Sequence, residues 1–117
     1  MKIRSALIQM SCSENREENM LKATRMIEKA AEKGAKIVCL QELFGSIYFA
    51  QYTDRKYFEY AEKIDGSTVS KMTEISKKLG IVLIVPFFEE DRLGIYYNTA
   101  AVLDCGNLLG IYRKTHI

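Results

Sequence analysis

Two stretches of the chain place apolar residues three or four positions apart, the spacing that gives an α-helix one apolar face. The first stretch covers residues 16–33 and the second covers residues 67–79. Asn15 can cap the start of the first stretch through its side-chain oxygen. Gly34 and Gly80 follow the two stretches, and glycine readily adopts the left-handed conformation in which helices often end. The pattern therefore predicts two amphipathic helices.

Shorter apolar runs lie before and between these helices. Residues 3–10 form a mixed run, while residues 37–40 and 81–88 are apolar throughout. A continuous apolar run is typical of a strand that is covered on both faces. Pro86 lacks the N–H that a sheet interior needs, so we take it as a mark of the end of its strand. These runs predict three strands that alternate with the two helices.

The last third of the chain has the pattern of a hairpin. The polar segment EEDRLG, residues 89–94, is turn-like, and the runs 96–104 and 108–114 predict two strands joined by a tight turn around Gly106. The predicted order is β-α-β-loop-α-β-β-β. Strands that alternate with helices and end in a hairpin indicate an α/β fold with a sheet of mixed direction.

Residues 41–66 are the least regular part of the chain. They hold seven aromatic residues and predict at most a short helix after Asp54. A connection of this length is uncommon in a compact domain unless it shapes a binding site, so the segment is a candidate pocket wall. The alternative is an aromatic cluster that only packs beneath a surface loop.

The composition excludes several classes of function. The chain has 117 residues, 48% of them hydrophobic and 27% charged, with a net charge of +2. Basic and acidic residues are interspersed, which argues against a nucleic-acid partner. No apolar run approaches the roughly 20 residues of a membrane-spanning helix. The three cysteines lack zinc-site or redox spacing, so we expect reduced thiols in a cytoplasmic protein and neither a metal nor another cofactor.

Two charged residues stand at or just beyond the ends of predicted strands. Glu42 follows the apolar run CL within CLQELF, and Lys114 ends the run GIYRK. Ligand sites in open α/β sheets collect at the carboxyl ends of strands, so an acid and a base at two such ends indicate a shared site. Taken singly, Glu42 is more often a solvated loop residue and Lys114 one end of a surface ion pair. Their joint occurrence favours the shared site.

The surroundings of these two residues resemble the nitrilase superfamily, the carbon-nitrogen hydrolases. The resemblance rests on IRSALIQM, QELF, YNTAAVLD and GIYRKTHI, in that order along the chain. It implies a four-layer α-β-β-α sandwich, with residues 1–117 as the N-terminal portion of a single domain. The runs ELFGSIYFAQ, PFFEED and GIYRKTHI look most like the N-carbamoylputrescine amidase and β-ureidopropionase branch. The omega-amidase-like and aliphatic amidase members of the family are the alternatives.

The resemblance also implies a mechanism. In the family a cysteine thiol attacks the carbonyl carbon of an amide or ureido group. Glu42 would be the catalytic base and Lys114 would face the developing oxyanion. The family's cysteine lies in a later segment than the lysine, and Cys12, Cys39 and Cys105 do not match it. We therefore expect residues 1–117 alone to be inactive.

Other polar residues near these motifs have supporting roles in this interpretation. Tyr48, within ELFGSIYFAQ, is a candidate substrate-binding residue. Asn98 falls within a predicted strand and is expected to brace the site. Arg113 should point to the face of the sheet opposite Lys114 and form a structural ion pair. His116 is the only histidine, and we interpret it as a structural loop residue.

The expected partners are a small-molecule amide or ureido substrate and further copies of the chain, with no nucleic acid and no membrane. The predicted strands are apolar on both faces and two helices cannot cover them, so residues 1–117 alone should self-associate. The alternative to a hydrolase is a non-catalytic fragment or pseudoenzyme that only folds or associates.

Overall fold

A computed structural model describes all 117 residues. Its regular elements are one five-stranded sheet, two α-helices and two short 3-10 helices. The strands are β1 (Ser5–Leu7), β2 (Ile37–Cys39), β3 (Val82–Arg92), β4 (Ile95–Asp104) and β5 (Asn107–Arg113). The helices are α1 (Arg16–Glu32) and α2 (Ser67–Leu79), and the 3-10 helices are Phe49–Gln51 and Arg55–Tyr60.

The strands lie in the sheet in chain order, β1 to β5. The first three are parallel to one another, β4 is antiparallel to β3, and β5 is antiparallel to β4. Parallel strands are joined by right-handed crossovers, and two successive crossovers in one direction place both helices on one face of the sheet. The sheet therefore has a covered face beneath α1 and α2 and an open face on the other side.

The hydrophobic core lies between the covered face and the two helices. Ile27 of α1 and Met72 of α2 are fully buried there, against Val38, Leu83 and Leu103 of the sheet. The result is one helical layer on one β layer, which is half of an α-β-β-α sandwich. The predicted α/β fold class is confirmed.

Both predicted helices are confirmed. Asn15 caps α1 by accepting a hydrogen bond from the backbone N–H of Glu18 at 3.1 Å, and α2 ends at Gly80 with φ of +63°. The first strand is much shorter than the predicted residues 3–10, because its parallel pairing with β2 is confined to three residues.

The predicted end of the third strand was wrong. Pro86 lies in the middle of β3, and the segment 89–92, which we interpreted as part of a turn, continues the strand. Backbone groups of Ile84 face β2, so those of Pro86, two residues on, face the same side, where β2 has already ended. The missing N–H of Pro86 therefore costs no hydrogen bond. Glu89 to Arg92 pair with the start of β4 and lengthen the hairpin.

The aromatic segment folds around the two 3-10 helices. Asp54 caps the second one, which confirms the short helix predicted after it. The rings pack on one another, with Phe49 stacked on Tyr57 at 5.5 Å between centroids and tilted against Phe88 at 5.0 Å. They also line a cavity of about 420 Å³. The segment is thus both an aromatic cluster and a pocket wall.

The open face carries apolar side chains without a covering layer. Leu7 is 85% exposed, and Cys39, Ile84 and Val102 lie beside it in adjacent strands, only partly buried. Self-association through this face stays a prediction. Neither α-helix has the length and apolar composition needed to cross a lipid bilayer.

Candidate active site

The strand directions bring the two candidate catalytic residues to one edge of the sheet. β5 is antiparallel to β4, which is antiparallel to β3, so β5 runs in the same direction as β2. Glu42 follows the carboxyl end of β2 and Lys114 follows that of β5. Three strand spacings, about 14 Å, still separate these strands. The segment after β2 must therefore cross toward β4 and β5.

The structure brings Glu42 and Lys114 into direct contact. Lys114 Nζ donates to Glu42 Oε1 at 2.8 Å, and Asn98 Nδ2 donates to the same oxygen at 2.6 Å. Neither hydrogen bond uses Oε2. The side chains of Glu42 and Lys114 are 40% and 41% exposed, so the pair lies open to a small molecule. The predicted contact and the predicted bracing by Asn98 are both present.

Contacts of the neighbouring residues fix the backbone on both sides of Glu42. Gln41 Oε1 accepts from the backbone N–H of Met10 at 2.6 Å, which ties the segment to the chain after β1. On the other side Leu43 and Phe44 are buried, and Leu43 adopts a left-handed φ of +53°. This conformation is costly for a bulky residue, by about 1–2 kcal/mol, and such strain persists where packing enforces it. The chain therefore turns directly after Glu42.

Lys114 is positioned by strand pairing and by its neighbour in sequence. Its backbone N–H donates to Asn98 O at 2.9 Å, so Asn98 contacts both members of the pair. Arg113 turns to the covered face, where it binds Glu89 through two hydrogen bonds of 2.9 and 2.8 Å. Arg113 thus forms the structural ion pair predicted for it.

The electrostatics favour the charged forms of both residues. The hydrogen bond from Lys114 is the main cause that lowers the pKa of Glu42 below its ordinary value, and the bond from Asn98 adds to it while burial opposes. The hydrogen bond to Glu42 in turn raises the pKa of Lys114, with smaller contributions from Tyr48 and Tyr112. At neutral pH the site therefore holds a carboxylate that can accept a proton and an ammonium that can donate hydrogen bonds.

A cavity of about 460 Å³ opens beside Glu42. It is lined by the segments that follow β1 and β2 and by Tyr48, which is half exposed. The size suits a small molecule. Tyr48 therefore lies where a substrate-binding residue would have to lie, and that role stays a prediction.

None of the three cysteines has the environment of an activated nucleophile. Burial raises the pKa of Cys12 and of Cys39, and the hydrogen bond with Asp104 raises the pKa of Cys105. A nucleophilic cysteine needs the opposite shift, since the thiolate is the reactive form. All three are free thiols. No three side chains of the histidine, cysteine, aspartate or glutamate type lie together as they would around a metal ion.

Sequence reasoning missed two features of the site. Glu89, only 2% exposed, was hidden in a polar run that resembled a turn, although its position directly after the apolar run 81–88 was a usable signal for a longer strand. The left-handed Leu43 left no signal, because leucine rarely adopts that conformation. His116 is exposed and outside these contacts.

Comparisons with known proteins identify the family of the chain. The family model described as carbon-nitrogen hydrolase matches residues 4–117. An omega-amidase of Homo sapiens is 44% identical over 97% of the chain, and an N-carbamoylputrescine amidase of Solanum lycopersicum is 39% identical over 96%. A citrullinase of Francisella tularensis is 39% identical over 98%. The chain spans 40%, 38% and 41% of these three proteins, respectively.

Solved structures show the same fold. A carbon-nitrogen hydrolase from Helicobacter pylori superimposes with a TM-score of 0.91 at 30% identity, over 98% of this chain and 40% of its own. Nit3 of Saccharomyces cerevisiae, a member of the nitrilase superfamily, gives a TM-score of 0.77 at 31% identity, over 97% of this chain and 44% of its own. The chain therefore belongs to the carbon-nitrogen hydrolase family of the nitrilase superfamily.

Proposed function

We propose that a protein carrying this chain hydrolyses a non-peptide carbon–nitrogen bond, with Glu42 as the general base and Lys114 as the cation that stabilises the oxyanion. The observation that supports this most is the contact of 2.8 Å between Lys114 Nζ and Glu42 Oε1 in an exposed site at a sheet edge. A structural ion pair gains little at such a place, since exposed pairs contribute about 0–1 kcal/mol.

The proposed reaction begins when a cysteine thiol outside residues 1–117 attacks the carbonyl carbon of the substrate. Glu42 removes the thiol proton and then gives it to the nitrogen that departs, leaving a thioester. A water molecule attacks the thioester, Glu42 accepts its proton, and the thiol leaves with that proton. Lys114 stabilises the negative oxygen in both tetrahedral intermediates.

The proposed substrate is an N-carbamoyl amine of the N-carbamoylputrescine kind. Two of the three relatives described above, an N-carbamoylputrescine amidase and a citrullinase, are named for compounds with a terminal carbamoyl group. The omega-amidase, at 44% identity, supports a primary amide as the second candidate. The proposed location is the cytoplasm, which the three free thiols support.

The test uses a full-length protein that carries this sequence, and measures ammonia release from ureido compounds and from primary amides. Glu42→Gln should lower kcat by about 10²- to 10⁴-fold, because the thiol keeps its proton and the leaving nitrogen receives none. Lys114→Met should lower kcat by about 10²- to 10³-fold. Glu74→Gln, which removes an exposed carboxylate on α2, is the control and should leave kcat unchanged.

Normal turnover by the Glu42 variant would refute the catalytic role. A full-length protein that releases no ammonia from any compound of the panel would instead support the non-catalytic alternative.

A further inference from the structure

Arg113, the residue before Lys114, makes an unusual number of strong contacts on the covered face. Its guanidinium donates to both oxygens of Glu89, at 2.9 and 2.8 Å, and lies 3.3 Å from an oxygen of Asp91. It also stacks over the ring of Tyr97, 4.0 Å from the centroid. Bidentate pairing and stacking together fix the plane of a guanidinium. A lysine ammonium has no such plane and could not be held in this way.

The carboxylate that receives Arg113 is itself held rigidly. Glu89 is 2% exposed, and Thr99, which is 1% exposed, donates its hydroxyl hydrogen bond to Glu89 Oε1 at 2.7 Å. Glu89 belongs to β3 and Thr99 to β4, and both strands lie inside the sheet rather than at its edge. Glu89 therefore stays in place if the end of β5, which carries Arg113, moves.

Lys114, by contrast, follows an edge strand. β5 pairs with β4 on one side only, and the pairing ends where Thr99 meets Arg113, followed by one backbone hydrogen bond from Lys114 to Asn98. Ends of edge strands open easily when few contacts hold them. The contacts of Arg113 with β3 and β4 are the strongest restraint on this end of β5. Arg113 directly precedes Lys114, the catalytic candidate.

We propose that Glu89 is a positioning residue for Lys114, acting through Arg113 from the opposite face of the sheet. The proposal rests on the proposed function, in which Lys114 must reach both Glu42 and the oxyanion. Adjacent residues of a strand project to opposite faces, so clamping Arg113 on the covered face fixes the direction of Lys114 on the open face. Displacement of a catalytic group by about 1 Å can lower the rate by about 100-fold.

The sharpest variant is Glu89→Gln, because position and charge predict opposite results for Glu42. Removal of a negative charge beside Arg113, by electrostatics alone, would lower the pKa of Glu42. Loss of the clamp would move Lys114 away and raise the pKa of Glu42 toward its ordinary value. Carbon-13 NMR titration of the Glu42 carboxyl reports this shift without any need for turnover, and an upward shift is expected.

The matched control is Glu62→Gln. Glu62 also accepts from an arginine, Arg16 Nη2 at 2.7 Å, and from the hydroxyl of a threonine, Thr68, and its side chain is only 12% exposed. None of its hydrogen bonds goes to β5. Glu62→Gln should lower the free energy of unfolding as Glu89→Gln does. The pKa of Glu42 should keep the value it has in the unchanged protein.

Kinetics give the second arm, in a full-length protein that carries this sequence. Glu89→Gln should lower kcat by about 10- to 100-fold with KM within about twofold, because the substrate still binds while Lys114 is misplaced. Glu62→Gln should leave kcat within about twofold. Arg113→Lys should restore part of the activity that Arg113→Gln loses, and these two variants stand in if Glu89→Gln does not fold.

An unchanged or lowered pKa of Glu42 in Glu89→Gln would overturn the positioning role, as would a loss of kcat in Glu62→Gln equal to that in Glu89→Gln. These results differ from a failure of the proposed function, in which Glu42→Gln and Lys114→Met themselves keep normal turnover.

Discussion

The two ends of one dipeptide, Arg113 and Lys114, bind two glutamates on opposite faces of the sheet. On the covered face Arg113 holds Glu89, which is 2% exposed and accepts hydrogen bonds at both of its carboxylate oxygens. On the open face Lys114 holds Glu42, whose side chain is 40% exposed and accepts both of its hydrogen bonds at Oε1. The residue types are nearly the same, and the surroundings are not.

The difference shows what separates a structural carboxylate from one available for chemistry. Both oxygens of Glu89 accept hydrogen bonds, from Arg113 and Thr99. Protonation of Glu89 would therefore break its ion pair with Arg113. Glu42 is held in place through one oxygen, while Oε2 takes part in neither hydrogen bond. A general base needs this combination of a fixed position and a free oxygen.

The largest expected difference is in folding stability. Glu89→Ala should lower the free energy of unfolding by about 3 kcal/mol, because it removes the bidentate partner of Arg113, leaves a buried gap and keeps only Asp91 beside the guanidinium. Glu42→Ala should lower it by less than about 1 kcal/mol, the usual range for an exposed ion pair. Urea denaturation of both variants measures the two values.

Glu90→Ala is the control for a change of charge at a neighbouring position of β3. Equal decreases in the free energy of unfolding for the Glu89 and Glu42 variants would contradict the comparison. The ion pair on the covered face would then be no more important for stability than the pair on the open face.

Only part of this comparison could be predicted from the sequence. The alternation of strand residues predicts that Arg113 and Lys114 face opposite sides, and strand-end placement predicts that Glu42 and Lys114 meet. Glu89 was not predicted, since the polar residues 89–92 have a low strand propensity and resemble a turn. Their strand conformation comes from pairing with β4, a contact between parts of the chain that local pattern does not describe.

The route of the chain to Glu42 was also beyond sequence reasoning. The rule for strand ends gives the correct edge of the sheet but leaves about 14 Å to cross. The left-handed Leu43 turns the chain directly after Glu42, and it is stabilised by burial of its side chain and of Phe44 rather than by a local preference. Tertiary packing decided this conformation against the propensity of leucine.

The second expected difference is in the response to acid. The hydrogen bond from Arg113 lowers the pKa of Glu89, and the hydrogen bond from Lys114 lowers that of Glu42, each below the ordinary value of 4.5. A lowered pKa in the folded state means that the unfolded chain binds protons first as pH falls. Both pairs therefore stabilise the protein fully above pH 4.5 and lose that contribution as pH falls through the folded-state pKa values.

Replacement by Gln separates the two contributions. Unfolding free energies from pH 7 to pH 3 should fall less steeply in Glu89→Gln than in Glu42→Gln, because the buried pair contributes more of the acid sensitivity. Addition of 0.5 M NaCl should reduce the contribution of Glu42, which water and ions reach, more than that of Glu89. If Glu42→Gln reduced the acid dependence of the unfolding free energy more than Glu89→Gln does, Glu89 would not be the carboxylate that contributes more of it.

The smallest expected effect distinguishes the two donors of Glu42. Lys114 is the main cause of its lowered pKa and Asn98 a lesser one, after the opposing effect of burial. Both Lys114→Met and Asn98→Ala should raise the pKa of Glu42, and the lysine variant should raise it more, because it removes a charge as well as a hydrogen bond. NMR titration of the carboxyl carbon gives both values. Glu74→Gln, which changes an exposed carboxylate on α2, is the control and should leave the pKa of Glu42 nearly unchanged. A larger rise in Asn98→Ala than in Lys114→Met would show that the hydrogen bond from the Asn98 side-chain amide lowers the pKa of Glu42 more than Lys114 does, and that the open face depends on β4 more than on the charge pair itself.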